Sequence, residues 1–206
     1  MKPIIGIACI SNNQTIGNKN GELIYQMNYD MKHFQKTTIT TKDKNKKNAV
    51  LMGNSTYKGM GKPLKNRINY VITNNCVLKS DTEDLYYYNN VLTCLMEIQS
   101  NETIETIYII GGATIYQFCL EHHLYDELIL SYVHSPVNST GDVYFPNIDF
   151  YKYYIDKKSN YINVFDKKSE KNQIYTIYFL KKYDHVCQDF IKTMTYWLIR
   201  FIRLIQ

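Results

Sequence analysis

Short apolar runs rich in Ile, Val, Leu and Tyr alternate with stretches of helical period from Ile4 to Lys181, and this alternation constrains the fold more than any other feature of the chain. The spacing predicts strands over 4–10, 49–52, 69–73, 85–88, 106–110 and 127–134, with helices over 28–38, 55–59, 91–99 and 114–121 between them. Two late runs, 161–166 and 173–181, predict an antiparallel hairpin. A chain that keeps returning from helix to buried strand builds an α/β fold: a mostly parallel central sheet flanked by helices, here with an antiparallel C-terminal edge. The polar segment from Lys42 to Asn48 reads as a solvated loop between helix and strand.

A length of 206 residues suits one domain, and 45% hydrophobic with 21% charged residues is a globular balance that excludes disorder of the whole chain. The net charge of +5 comes from scattered lysines and the run Lys42 to Lys47, without interleaved aromatics, so no nucleic acid partner is expected. A small anionic ligand fits the same charge. The five cysteines stand singly, with no CxxC pair, and read as reduced core thiols; no metal site is expected. The apolar start, Met1 to Ile10, is too short for a secretory leader and reads as a first strand, which places the chain in the cytoplasm.

One carboxylate stands out in this frame. Met27, Asp30, Met31 and Phe34 follow the i, i+3, i+4, i+7 spacing of one helical face. A carboxylate on an apolar face loses hydration, so it needs a hydrogen-bond-donating partner or a raised pKa, and a flat guanidine-like heterocycle supplies the partner. The alternative puts Asp30 in the first turn facing water, favourable to the helix dipole, behind an Asn28 cap. Two strand-to-helix junctions carry glycine, Met52-Gly53-Asn54-Ser55-Thr56 and Ile110-Gly111-Gly112-Ala113-Thr114. Such junctions let the backbone approach a ligand and offer N–H groups to phosphate, although a Gly pair after a strand also serves as a plain tight turn. Arg67, behind a Pro-containing turn, has the fork that grips a carboxylate, or is a surface arginine.

Taken in order, Ile16-Gly17, Asn20-Gly21-Glu22-Leu23, Asp30 with Phe34, Met52-Gly53, Thr56, Gly61-Lys62-Pro63-Leu64 with Arg67, Ile110-Gly111-Gly112, Tyr116, and Gly141-Asp142 with Phe145-Pro146 resemble the dihydrofolate reductase family. The resemblance runs from Ile4 to about Tyr183 and implies a reductase domain over 1–183, with dihydrofolate as substrate and NADPH as cofactor. It implies that Asp30 holds the pterin's 2-amino and N3 groups, with Ser131 as the hydroxyl beside it. Ile7, Ala8, Phe34, Met60, Leu64 and Ile110 are implied to line the substrate, and Arg67 to bind the α-carboxylate of its glutamate. Cofactor contacts are implied for Ala8, Ile16, Gly17, Gly53, Asn54, Ser55, Thr56, Ile72, Thr73, Asn74, Ile110, Gly111, Gly112, Ala113, Thr114, Ile115 and Tyr116, with a cis peptide between Gly111 and Gly112. The implied chemistry is hydride transfer to pterin C6 while water delivers the proton to N5 and the loop 12–25, walled by Tyr25, excludes bulk solvent.

Several positions depart from the family pattern. Leu23-Ile24-Tyr25 replaces a usual Leu-Pro-Trp run, and Asn54 and Thr114 stand where basic residues commonly meet cofactor phosphates. Each neutral replacement gives up a charge-assisted bond of roughly 1.5–3 kcal/mol. Residues 184–206 lie beyond the resemblance and read as an extra C-terminal amphipathic helix with Arg200 and Arg203 on its polar face. Docking on the domain, self-association, pairing with thymidylate synthase and peripheral membrane contact are the roles open to it. Two other functions remain open for the whole chain: a same-fold reductase of another heterocycle, and a binding or scaffold homologue with a weakened cofactor site.

Overall fold

β1 (Ile4–Ser11) is apolar on both faces, as a strand covered from two sides must be, and it lies inside a nine-stranded sheet. The computed structural model describes residues 1–75, 82–134 and 141–184. After β1 come β2 (Thr15–Gly17), α1 (Asn28–Ile39), β3 (Lys47–Gly53), α2 (Asn54–Met60), β4 (Arg67–Ile72), β5 (Leu85–Tyr88) and α3 (Val91–Ser100). The second half holds β6 (Ile104–Ile109), α4 (Ala113–Glu121), β7 (Glu127–Val133), β8 (Val143–Tyr144), β9 (Tyr153–Lys158), β10 (Ile162–Asp166) and β11 (Lys171–Lys182). Strands β7, β1, β6, β3, β4 and β5 lie side by side and parallel, and β11 closes antiparallel on β7. The outer edge of β11 is shared, its first half pairing with β10 and its second with β9.

This is the α/β architecture with an antiparallel C-terminal edge that the alternation predicts. Three elements escape the pattern for physical reasons. β2 and β8, which pair with each other, span three and two residues, too few to show a period. β9 is an edge strand whose residues 155–158 are all exposed, so it lacks an apolar signature.

The sheet separates two apolar clusters. On one face α3 and α4 bury Cys94, Leu95, Ile98, Ile115, Tyr116 and Cys119 against Ala49, Leu51, Ile107 and Ile109. On the other face Ile7, Val50, Met52, Ile129 and Ile177 form a floor over which Phe34, Met60 and Leu64 are only partly buried.

Two local expectations are corrected. Lys47 and Asn48 belong to β3 rather than to the polar loop, and Asn48 is fully buried. Its amide donates to the carbonyls of Thr38 and Thr40 at 3.1 and 2.9 Å, so a polar residue at the strand's start satisfies the C-terminal end of α1. At the other end of α1 the N-cap is Met27, not Asn28, and no side chain caps it. The extension 185–206 lies outside the described residues; among these, no helix is long and apolar enough to cross a membrane.

Candidate active site

Asp30 sits in the first turn of α1, half-buried, and is hydrogen-bonded to the Ser131 side chain on β7. Burial raises its pKa, while the Ser131 hydroxyl and the nearby His33 pull it back down. Met31 on the same apolar stripe is 44% exposed and Phe34 is half-buried, so the stripe faces a cleft instead of a closed core. Burial is the largest influence on the carboxylate, which is thus largely withdrawn from open water.

The approach to α1 is fixed by a second carboxylate. Asp166, at the end of β10, is fully buried and accepts from the Gln26 amide at 2.7 Å, the Ser169 hydroxyl at 2.6 Å, and the Lys168 and Ser169 amides at 3.3 and 3.1 Å. Burial pushes this carboxyl up, but the hydrogen bonds outweigh it and leave the pKa below its ordinary value. Tyr25, one residue before the pinned amide, is buried with no hydrogen-bond partner for its hydroxyl, whose pKa is raised by burial and by neighbouring Cys9 and Asp166.

Arg67 opens β4 and is only 4% exposed, which rules out the surface-arginine reading. Its turn is held by buried Asn69, which accepts from the Leu64 amide at 2.8 Å and donates to the carbonyls of Leu64 and Arg67, each at 3.0 Å. Asn66, at φ 62°, takes the left-handed conformation that closes this turn. The guanidinium then reaches α1, donating to the Thr38 hydroxyl at 2.7 Å and standing 5.8 Å over the Phe34 ring. Among the described residues no carboxylate pairs with it, and burial lowers its pKa. A buried guanidinium without an anion is a receptor for one.

At the C-terminal ends of β3 and β6 the two glycine junctions meet. The Gly53 amide donates to the Gly111 carbonyl at 2.7 Å, and the Gly111–Gly112 peptide is cis. A Cβ on Gly112 would press on the Thr56 hydroxyl at 3.2 Å, and one on Gly111, at φ 108°, would press on the Tyr116 ring at 3.0 Å. The two helix N-termini thus form one cradle, bordered by half-buried Asn54, exposed Ser55 and Thr114, and Thr73 and Asn74 at the end of β4. Ile115 and Tyr116 are buried in the core beneath it, and the Tyr116 hydroxyl donates to the Ile7 carbonyl at 2.7 Å. Ile72, Ile110 and Ala113 are half-buried around the same junctions. Ile16 and Gly17 lie in β2, where Gly17 bridges Leu23 and the Asn18 amide donates to the Glu22 carbonyl at 3.0 Å, closing the return of the chain.

A family model described as dihydrofolate reductase matches residues 3–181. The chain belongs to the dihydrofolate reductase family. It is similar to a putative dihydrofolate reductase of Caenorhabditis elegans, 35% identical over 141 residues, which cover 65% of this chain and 72% of that one. The dihydrofolate reductase of Saccharomyces cerevisiae is 36% identical over 125 residues, 55% of this chain and 58% of the yeast protein. A bifunctional dihydrofolate reductase-thymidylate synthase of Arabidopsis thaliana is 31% identical over 143 residues, 64% of this chain and 26% of the plant protein.

Within this dihydrofolate reductase fold, the structure also brings forward residues that the sequence pattern leaves in the background. Along β1, Ile7 packs with the cleft-side cluster while the Ala8 side chain packs with the opposite one, so the neighbour sharing a face with Ile7 is Cys9. Cys9 is half-buried, pairs in register with Ser131, and its thiol pKa is pushed well up, by burial first and then by Asp30 and Asp166. Strict two-residue alternation along 5–9 is the signal that points to it. Thr38 and Asp166 have no such signal for the contacts that tie them to the site, because Arg67 and Gln26 lie 29 and 140 residues away from them.

Proposed function

We propose that the chain reduces 7,8-dihydrofolate to 5,6,7,8-tetrahydrofolate with NADPH in the cytoplasm, serving one-carbon and nucleotide synthesis. The observation that carries this reading is that α1 carries Asp30 in its first turn while Arg67 reaches the same helix at Phe34 and Thr38. Asp30, backed by Ser131, offers a desolvated carboxylate to a heterocycle with amino and ring N–H donors. Arg67, backed by Thr38 and lacking an internal anion among the described residues, offers a fork to a carboxylate at the far end of the same ligand. A heterocycle without an acidic tail leaves Arg67 unexplained, which disfavours a same-fold reductase of another ring.

The glycine cradle fits a dinucleotide, because two backbone junctions that a Cβ would fill stand beside helix N-termini. Gly53, Thr56, Gly111 and Gly112 would hold NADPH there, and its nicotinamide would supply the hydride to pterin C6. Asp30 orients the ring and biases its protonation, with water carrying the proton to N5. The Tyr25 wall and the loop before it keep bulk water from the reacting atoms. Asn54, Ser55, Asn74 and Thr114 make the cradle's rim neutral, the one feature that favours a binding homologue with a weak cofactor site.

The test is the loss of NADPH absorbance with dihydrofolate, run for the full chain beside Asp30→Asn. Turnover that collapses in the variant supports the reading. No turnover in a folded chain that also fails to bind NADPH moves the assignment to a binding protein.

A further inference from the structure

We propose that His33 is a positioning residue that acts through Asp30: one helical turn along α1, its imidazole biases the carboxylate toward the ionised form in which it meets the heterocycle. That role rests on the reductase reading of the site, whereas the coupling itself needs only the two side chains.

Residues i and i+3 on a helix hold their Cβ atoms about 5–6 Å apart on one side of the cylinder, so His33 and Asp30 are neighbours by construction. His33 is half-buried, and its Nε2 is sealed from solvent with no hydrogen-bond partner among the described residues. The ring is held edge-on against Phe179 of β11, centroids 6.4 Å apart at 89°, which prevents it from swinging out without losing that packing. A sealed ring nitrogen without a partner is costly and marks a group whose protonation depends on its neighbours.

The groups around it come from three elements. Asp30 and Lys36 flank it on α1, Phe179 of β11 packs on its ring, and Lys157 of β9 places its ammonium 4.6 Å over that same Phe179 ring; Tyr175 of β11 stands near Asp30. Burial lowers the His33 pKa, Asp30 raises it and Lys36 lowers it again. The reciprocal effect holds at Asp30, where burial raises the pKa and His33 lowers it. Burial thus draws an acid with a low ordinary pKa and a base with a higher one toward each other, and each side chain feels the charge of the other across one helical turn. While His33 is charged it favours ionised Asp30 against surroundings that favour the neutral form, and because the His33 pKa is lowered overall this support acts on the acid side of its ordinary range.

Imidazole NMR titration of the full chain tests the coupling, the His33 signal being assigned among the five histidines by its loss in His33→Gln. In Asp30→Asn the His33 midpoint falls by about 0.3 pH unit, the size of an i,i+3 ion-pair interaction on the pH scale. An unmoved midpoint overturns the proposal. The second arm is the pH profile of kcat/KM: the limb that vanishes in Asp30→Asn moves to higher pH in His33→Gln. A uniform loss at every pH, or a profile superposable on the wild type, means that His33 only packs. A wild-type chain without turnover removes the catalytic role even when the NMR shift is present, which separates failure of the reductase reading from failure of the coupling.

Discussion

Arg67 Nη1 donates to the Thr38 hydroxyl at 2.7 Å, joining the start of β4 to the last turns of α1. The bond sets the direction of the only guanidinium that faces the cleft from β4. Thr38→Val keeps shape and removes the acceptor, so dihydrofolate Kd rises about tenfold while Arg67→Lys, which loses the planar fork, costs at least as much. Quenching of intrinsic fluorescence on titration with dihydrofolate measures both; NADPH affinity stays unchanged in each.

Asp30→Asn separates function from stability. A carboxyl whose folded pKa is raised contributes stability at low pH that is lost as pH rises through the folded value. At neutral pH the ionised Asp30 is therefore a burden on the fold, and the amide relieves it. The variant loses about 100-fold or more in kcat/KM yet melts at a temperature equal to or above the wild type at pH 7. A calorimetric melt lower than wild type contradicts this assignment of the burial effect.

Asp166 behaves in the opposite sense. Its folded pKa is depressed, so its contribution is present above the ordinary carboxyl range and is lost as pH falls through the lowered folded value. Asp166→Asn leaves amide donors facing a group that no longer accepts all of them, at a cost of about 1–3 kcal/mol in urea unfolding at pH 7. The difference between variant and wild type shrinks below about pH 4.

Gly59→Ala tests the seat of the loop on α2. A Cβ there would collide with the Gly21 carbonyl oxygen, backbone that has no flexible side chain to yield. The loop is pushed off the helix, and kcat falls with little change in the far-ultraviolet circular dichroism, because the clash displaces the Gly21 loop while the sheet lies outside it and alanine suits the α2 backbone.

Asp30 is legible in the sequence because a carboxylate at a position reserved for apolar residues breaks a strong period, and in the structure it is hydrogen-bonded to Ser131. Strands of the parallel sheet were readable because burial on both faces writes continuous apolar runs. Asn48 was misread since a polar residue at a strand's start looks like the loop it follows; its burial depends on two carbonyls eight and ten residues earlier. Cys9 was legible in principle, by counting twos from Ile5. His33, Thr38 and Asp166 were not, since their roles arise only when α1 is laid beside β11, β4 and β10.

The sheet's division into a sealed face under α3 and α4 and a half-open face under α1 makes the chain unequally free to drift. Changes at Leu95, Ile98 or Ile107 cost packing and are removed by selection whatever the ligand. Changes at Met31, Phe34, Met60 or Leu64 forfeit less packing, since these side chains are not fully enclosed. The half-open face, at α1, α2 and the turn before β4, is therefore where the chain can be reshaped at least cost to its packing.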